Sequence, residues 1–312
     1  MDYPLNSPIG IAAGPLLNSK WVEGYARLGY DILTYGSVRS AARQAHPLPN
    51  VRPVENRDQT AVVTKRPAAN GDVTIAVSTG MPCMEPDVWR KDVRRAKDRL
   101  GRGQVLVVNV MGTPELGTDA DALIADYALC AVWASEAGAD IVEVNLACPN
   151  PFGEPGQMVY ESIAVSAQIL YRVRTSIKVP VIAKLGAFRT PRQLHETATK
   201  LAPWAHGFEL VHGIQRRVVD EDGNPAFEGA GREAYVVGAD TFGACARQVE
   251  EMLAWRKAGA WDRAVLAVGG ITTAERALHL LREGADCALV ATAALYDPLF
   301  ATRFRQLAVT AA

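Results

Sequence analysis

The feature that most restricts the fold is an alternation running through the 312 residues, in which short apolar runs are each followed by a stretch of helical periodicity. Runs at 8–13, 31–35, 104–110, 141–146, 181–185, 206–212, 264–268 and 287–291 have the length and aliphatic content of buried strands. Helical patterns follow at 19–28, 87–100, 119–137, 159–177, 191–201, 240–257, 273–282 and 298–307. Strands without a polar face belong to parallel sheets covered by helices on both sides. Eight such units predict an α/β fold, a (β/α)8 TIM barrel, and in such barrels the carboxyl ends of the strands carry the chemistry.

Two stretches interrupt the alternation. Residues 39–85 are rich in proline and polar groups and hold two short β-like runs, 60–64 and 73–78, on either side of Asn70-Gly71, a strong hairpin signal. They predict a hairpin-bearing insertion that covers the barrel mouth, with 1–312 as a single domain. Residues 213–233 are long, charged and glycine-bearing, as expected of an active-site loop.

Composition narrows the function. A net charge of -1 gives no footprint for nucleic acid or anionic membrane, and no run of about 18 apolar residues predicts a membrane span. The five cysteines form no C-x-x-C pair and are odd in number, so neither a zinc site nor a disulfide framework is expected. The amino-terminal residues lack the regions of a signal peptide, and a reducing cytoplasm is the expected location.

The fourth strand runs into Asn145-Leu146-Ala147-Cys148-Pro149-Asn150, where Pro149 and Pro151 must end it. Cys148 therefore stands just past a strand's carboxyl end between two carboxamides, a candidate proton acceptor; the competing reading is a small buried hydrophobe. Ala12-Ala13-Gly14-Pro15 ends the first strand in small residues that allow close approach to the backbone. Gly269-Gly270 and Ala291-Thr292-Ala293 end the seventh and eighth strands, where such barrels bind phosphate, and Gly229-Ala230-Gly231 is a second close-approach loop. Lys184 ends the fifth strand, and an inward ammonium needs an anionic partner there unless it reaches water at the rim.

Together these residues resemble the dihydroorotate dehydrogenase family over nearly the whole chain. The resemblance rests on Asn6-Ser7-Pro8-Ile9-Gly10 with Ala12-Ala13-Gly14, on the 145–150 hexapeptide, on Ala183-Lys184-Leu185, on Gly269-Gly270-Ile271, and on Gly284-Ala285-Asp286 leading to Thr292-Ala293. It implies FMN as cofactor, a small-molecule substrate and a homodimer. It further implies that Cys148 is the general base, as in class 1 members, and that Asn145 and Asn150 bind substrate. By the same resemblance Asn109 and Lys184 contact the flavin ring, and Gly269, Gly270 and Thr292 hold the phosphate, with Ala13, Gly14, Asn145, Gly231 and Ala291 close to the cofactor. Lys184 or a polarised flavin would then favour the Cys148 thiolate.

Three positions depart from the family pattern. Tyr35 stands where class 1 members carry lysine, Val77-Ser78-Thr79-Gly80 where they carry Asn-x-Met-Gly, and His212-Gly213 where they carry Asn-Ser. Tyr35, Arg39, Val77, Cys83, His212 and Arg216 are accordingly expected to face a substrate other than dihydroorotate, with Tyr35, Val77 and His212 in direct contact. The expected activity is a hydride transfer, in either direction, between a C–C bond next to a carbonyl and FMN, with Cys148 as general base. Genuine dihydroorotate oxidation and a non-redox phosphosugar-binding barrel are the other readings. Neither an iron–sulfur cysteine cluster nor a nicotinamide fingerprint is present, so the electron acceptor stays open between an organic acid, oxygen, a quinone and a partner protein.

Overall fold

A computed structural model describes residues 3–57, 60–64, 72–113, 119–154, 156–228 and 233–310. In chain order the elements begin with β1 (Ile9–Leu16), α1 (Ser19–Arg27), β2 (Ile32–Val38), β3 (Val51–Arg57), β4 (Thr60–Val63), β5 (Thr74–Val77), α2 (Pro86–Asp98) and β6 (Val105–Val110). They continue with α3 (Ala120–Glu136), β7 (Ile141–Asn145), α4 (Ile163–Ser176), β8 (Val181–Lys184), α5 (Pro191–Leu201), β9 (Gly207–Leu210), β10 (Ile214–Val219) and β11 (Glu233–Gly238). The chain ends with α6 (Phe242–Lys257), β12 (Ala264–Val268), α7 (Ala274–Arg282), β13 (Cys287–Val290), α8 (Thr292–Tyr296) and α9 (Phe300–Thr310).

Eight parallel strands close in the order β1-β13-β12-β9-β8-β7-β6-β2, so the chain is a (β/α)8 barrel. Helix starts follow from side chains that satisfy orphan N–H groups: Asn18 caps α1, Asp119 caps α3, Thr190 caps α5 ahead of Pro191, and Thr273 caps α7.

Strand periodicity sorts the side chains. Val105, Val107, Ile141, Ile182, Leu266, Val268, Cys287 and Leu289 fill the inside of the barrel. By the same two-residue period, Asn109, Glu143, Asn145 and Lys184 also point inward, above that apolar layer. The alternate residues, among them Leu106, Val108, Val142, Val144, Val181 and Ala183, pack against the helices. The barrel thus has an apolar floor and a polar upper layer.

A second, smaller sheet corrects the expectation for both interruptions. The strands at 60–63 and 74–77 do not pair with each other as a hairpin. Each pairs with β3, a strand absent from the sequence reading, and Asn70-Gly71 lies outside the described residues. The active-site loop expected at 213–233 likewise opens with a strand, since β10 pairs antiparallel with β11. β11 then pairs with β5, and β10 runs parallel to β4, closing the order β10-β11-β5-β3-β4. Val54, Ala61, Ala76, Val218, Phe227 and Val236 bury its interior, which holds two segments distant in sequence together.

Candidate active site

A cavity of about 510 Å³ lies between the carboxyl ends of the barrel strands and the smaller sheet. Its barrel side is built from Ala13, Gly14, Ser37, Asn145, Lys184, His212, Gly269, Gly270, Ala291 and Thr292. Val51, Ile75, Val77, Gln215, Ala234, Tyr235 and Val237 close it from the other side. A volume in the range of cofactor sites, with mostly apolar walls and a few convergent polar groups, suits a ligand of cofactor size.

Gly269 and Gly270 have φ of +114° and +67°, where side chains are disfavoured. A Cβ on Gly269 would stand 2.6 Å from the Val211 carbonyl oxygen, and one on Gly270 would stand 2.3 Å from the Phe242 nitrogen. Two adjoining residues must therefore be glycine, and their bare backbone faces the cavity.

Lys184 is 1% exposed, and its ammonium donates to Glu209 Oε1 at 2.5 Å and lies 3.6 Å from Glu143 Oε1. The anionic partner expected for it is thus supplied by the protein. Burial works against the charged lysine, but the two carboxylates outweigh it and hold its pKa above the ordinary value. Asn109 donates to Glu143 and accepts from the Ser37 hydroxyl, so it reaches the cavity only through Ser37. Two-residue spacing along β7 put Glu143 on the same inward face as Asn145, a signal sequence reading passed over; Glu209, one residue before the end of β9, lies in the same inward layer.

His212 lines the cavity half-buried, its ring edge-on to Tyr235 with centroids 4.8 Å apart. Burial and, after it, the Lys184 charge push its pKa down to about 3, so at neutral pH the ring is an uncharged donor and acceptor. Val77 also lines the cavity.

Cys148 does not line the cavity; its neighbours Asn145 and Pro149 do. The thiol is 2% exposed, 3.2 Å from the Tyr127 hydroxyl and 3.3 Å from the Asn145 carbonyl oxygen. Burial pushes its pKa up to about 11, opposed by the Tyr127 hydrogen bond and by Arg39. The expectation that Lys184 favours the thiolate is therefore corrected, since Tyr127 and Arg39 are the groups acting on it. Sequence reading missed Tyr127 because nothing in a helix pattern says that one phenol of α3 reaches the end of β7.

Several other expected contacts lie elsewhere. Tyr35 is buried against α2, where its hydroxyl donates to Asp92 Oδ2 at 2.9 Å. Asn150 is turned into its own loop, accepting from the Phe152 nitrogen and donating to Gln157. Arg39 is buried with its Nε on the Met81 carbonyl oxygen and an Nη on Thr113, and neither it nor Cys83 nor Arg216 borders the cavity. Gly231 lies outside the described residues. Among the described residues there is no cluster able to hold a metal ion and no helix long and apolar enough to cross a membrane.

A barrel with a mostly apolar, glycine-lined cavity at its strand ends, bordered by Asn145 and Pro149 of the loop that carries a buried thiol, defines the chain first as a barrel enzyme. No family model matches it. The dihydroorotate dehydrogenase of Dictyostelium discoideum is 31% identical over 97% of this chain and 86% of its own length. A dihydroorotate dehydrogenase (quinone) of Clavibacter michiganensis is 28% identical over 95% of this chain and 79% of its own. The catalytic subunit of a dihydroorotate dehydrogenase B (NAD(+)) of Thermodesulfovibrio yellowstonii is 30% identical over 52% of this chain and 51% of its own. The chain belongs to the dihydroorotate dehydrogenase family and is an oxidoreductase of that type.

Proposed function

We propose that the chain binds FMN in the cavity and oxidises dihydroorotate, removing a proton and a hydride from adjacent carbons. The observation that carries this reading is the meeting, in one cavity, of Lys184, Asn145 and the side-chain-free Gly269-Gly270 corner, with Cys148 on the same loop as Asn145 and Pro149, its thiol 3.3 Å from the Asn145 carbonyl oxygen. The residues fit the cofactor. Gly269, Gly270 and Thr292 would hold the phosphate, Ala13, Gly14 and Ala291 would pack against the ring system, and Lys184 would face its polar edge. FMN supplies the hydride-accepting ring; the chain supplies position, charge and the proton acceptor.

In this reading Cys148 takes the proton as thiolate, stabilised by the Tyr127 hydroxyl and the Arg39 guanidinium. Asn145 offers its carboxamide to the substrate, and Tyr235, donating to the Ala147 carbonyl oxygen at 3.2 Å, holds the loop that carries Cys148. We assign residues 1–312 to a single unit in which the smaller sheet covers the site, working in the cytoplasm as a homodimer. The related proteins named for quinone and for NAD(+) leave the acceptor to be found by assay.

A second substrate is favoured by one observation: Val77 and His212 occupy the cavity wall, and its only described lysine is already held by Glu209. An absorption spectrum of the purified protein, followed by anaerobic dihydroorotate, separates the readings. Flavin that bleaches on addition, and fails to bleach in Cys148→Ser near neutral pH, supports dihydroorotate oxidation. Flavin that stays yellow overturns that substrate, and a spectrum without flavin after reconstitution overturns the cofactor.

A further inference from the structure

Lys184 is held between two carboxylates and meets no other charged partner within ion-pair distance among the described residues. The ammonium and both carboxylates are withdrawn from solvent, and the second oxygen of each, Glu143 Oε2 and Glu209 Oε2, has no hydrogen-bond partner there. One buried positive charge cannot balance two buried negative ones, so one carboxyl retains its proton. Glu143 accepts a hydrogen bond from the Asn109 amide. Among the described residues Glu209 has no such donor beyond Lys184, and burial, with Glu143 beside it, holds its proton far above the usual carboxylate range.

The surroundings add little that could compensate. The titratable groups facing Glu209 are Glu143 from β7, Lys184 from β8 and Cys287 from β13, with His212 beyond Lys184. β12, which pairs with β9 on the other side, brings only Ala264, Val265, Leu266, Ala267 and Val268. Cys287 stays a thiol because burial and, after it, Glu209 raise its pKa. His212 is neutral for the reasons given above.

We propose that Glu209 is a proton-linked site under the cavity: in the pH window where it is ionised in the oxidised protein, its carboxylate takes up a proton when negative charge develops beside Lys184 and releases it when that charge leaves. The inference rests on the flavin reading. In that reading the bound FMN would supply the acceptor for the substrate's hydride, which takes both electrons, and the substrate's second hydrogen would leave as a proton to Cys148. Glu209 exchanges no electrons; its carboxylate gains a proton from solvent and becomes a carboxylic acid. Linkage makes the effect reciprocal, so a proton on Glu209 favours reduction and reduction favours the proton.

The test is a spectroelectrochemical titration of the FMN-loaded protein over a range of pH. In the window where Glu209 ionises in the oxidised protein, the reduction equilibrium of the wild type should fall an extra tenfold per pH unit, ~30 mV for a two-electron couple. Glu209→Gln should lack that extra slope and follow the low-pH limb throughout. Identical slopes in the two proteins would overturn the proposal. Infrared difference spectra of wild type carrying 13C-labelled glutamate give a second readout that needs no variant. A carboxylic acid band gained on reduction in that window supports the proposal, and its absence sinks it. If no flavin binds, the cofactor reading fails separately, and infrared titration of the protein alone still decides whether a buried glutamic acid persists above neutral pH.

Discussion

The phenol of Tyr127 and the thiol of Cys148 form a buried pair, with Oη and Sγ 3.2 Å apart and Tyr127 also donating to the Asn145 carbonyl oxygen at 2.7 Å. While the sulfur is protonated, the phenol's hydrogen serves the carbonyl. Once the sulfur is ionised, that hydrogen is the nearest donor available to it.

Tyr127→Phe should therefore raise the Cys148 pKa further, by about one unit for the loss of one charge-assisted hydrogen bond. Alkylation of Cys148 at pH 8, followed by mass spectrometry, should slow by about tenfold. Arg39→Met should act in the same direction, because the guanidinium also favours the thiolate. An unchanged alkylation rate in both variants would show that neither group governs the thiol.

Stability should fall as pH rises through the native pKa of Glu209. A carboxyl whose pKa is raised by folding stabilises the fold fully below its unfolded value, and that contribution is lost as pH climbs through the folded value. Glu209→Gln should flatten this loss, by up to about 1.4 kcal/mol per pH unit in the affected window, in urea unfolding at a series of pH values. Lys184→Met leaves Glu143 without its cation and should cost about 3 kcal/mol or more at neutral pH.

His212 should contribute no step to the pH–rate profile between pH 5 and 8, since its pKa is pushed down to about 3. His212→Ala should leave the shape of that profile unchanged while raising KM by about tenfold, the value of one hydrogen bond to the substrate. A profile that loses an ionisation in the variant would contradict this.

Gly270→Ala should lose retained flavin and cost about 1–3 kcal/mol, because the new Cβ meets the Phe242 backbone at a φ of +67°. Cofactor content after gel filtration, set beside thermal unfolding, separates the two effects.

The barrel was legible because strands such as 105–110 and 141–145 are apolar throughout and have nowhere to go but a parallel sheet covered by helices. The smaller sheet was not. Residues 51–57 carry Pro53 and four exposed positions, so no period marks them, and β10 finds β4 only after the barrel has brought them close. At the site, the strand-end positions of Asn145, Lys184 and the glycine pair followed from spacing alone. The direction of a side chain past a strand's end did not, because the turn sets it: Asn150 folds back on Gln157, and Cys148 turns toward Tyr127. Tyr35 belonged to the wrong partner, since nothing local ties residue 35 to Asp92.

The smaller sheet has its roots on opposite sides of the barrel: one segment leaves after β2 and the other after β9, four places apart around the ring of eight. It is consequently a bridge across the mouth and not a flap on one edge. Lifting it would require the β4–β10 and β5–β11 ladders to part. Traffic into the cavity is then cheapest from the side, under the span, where Leu17 and Leu295 form an apolar sill.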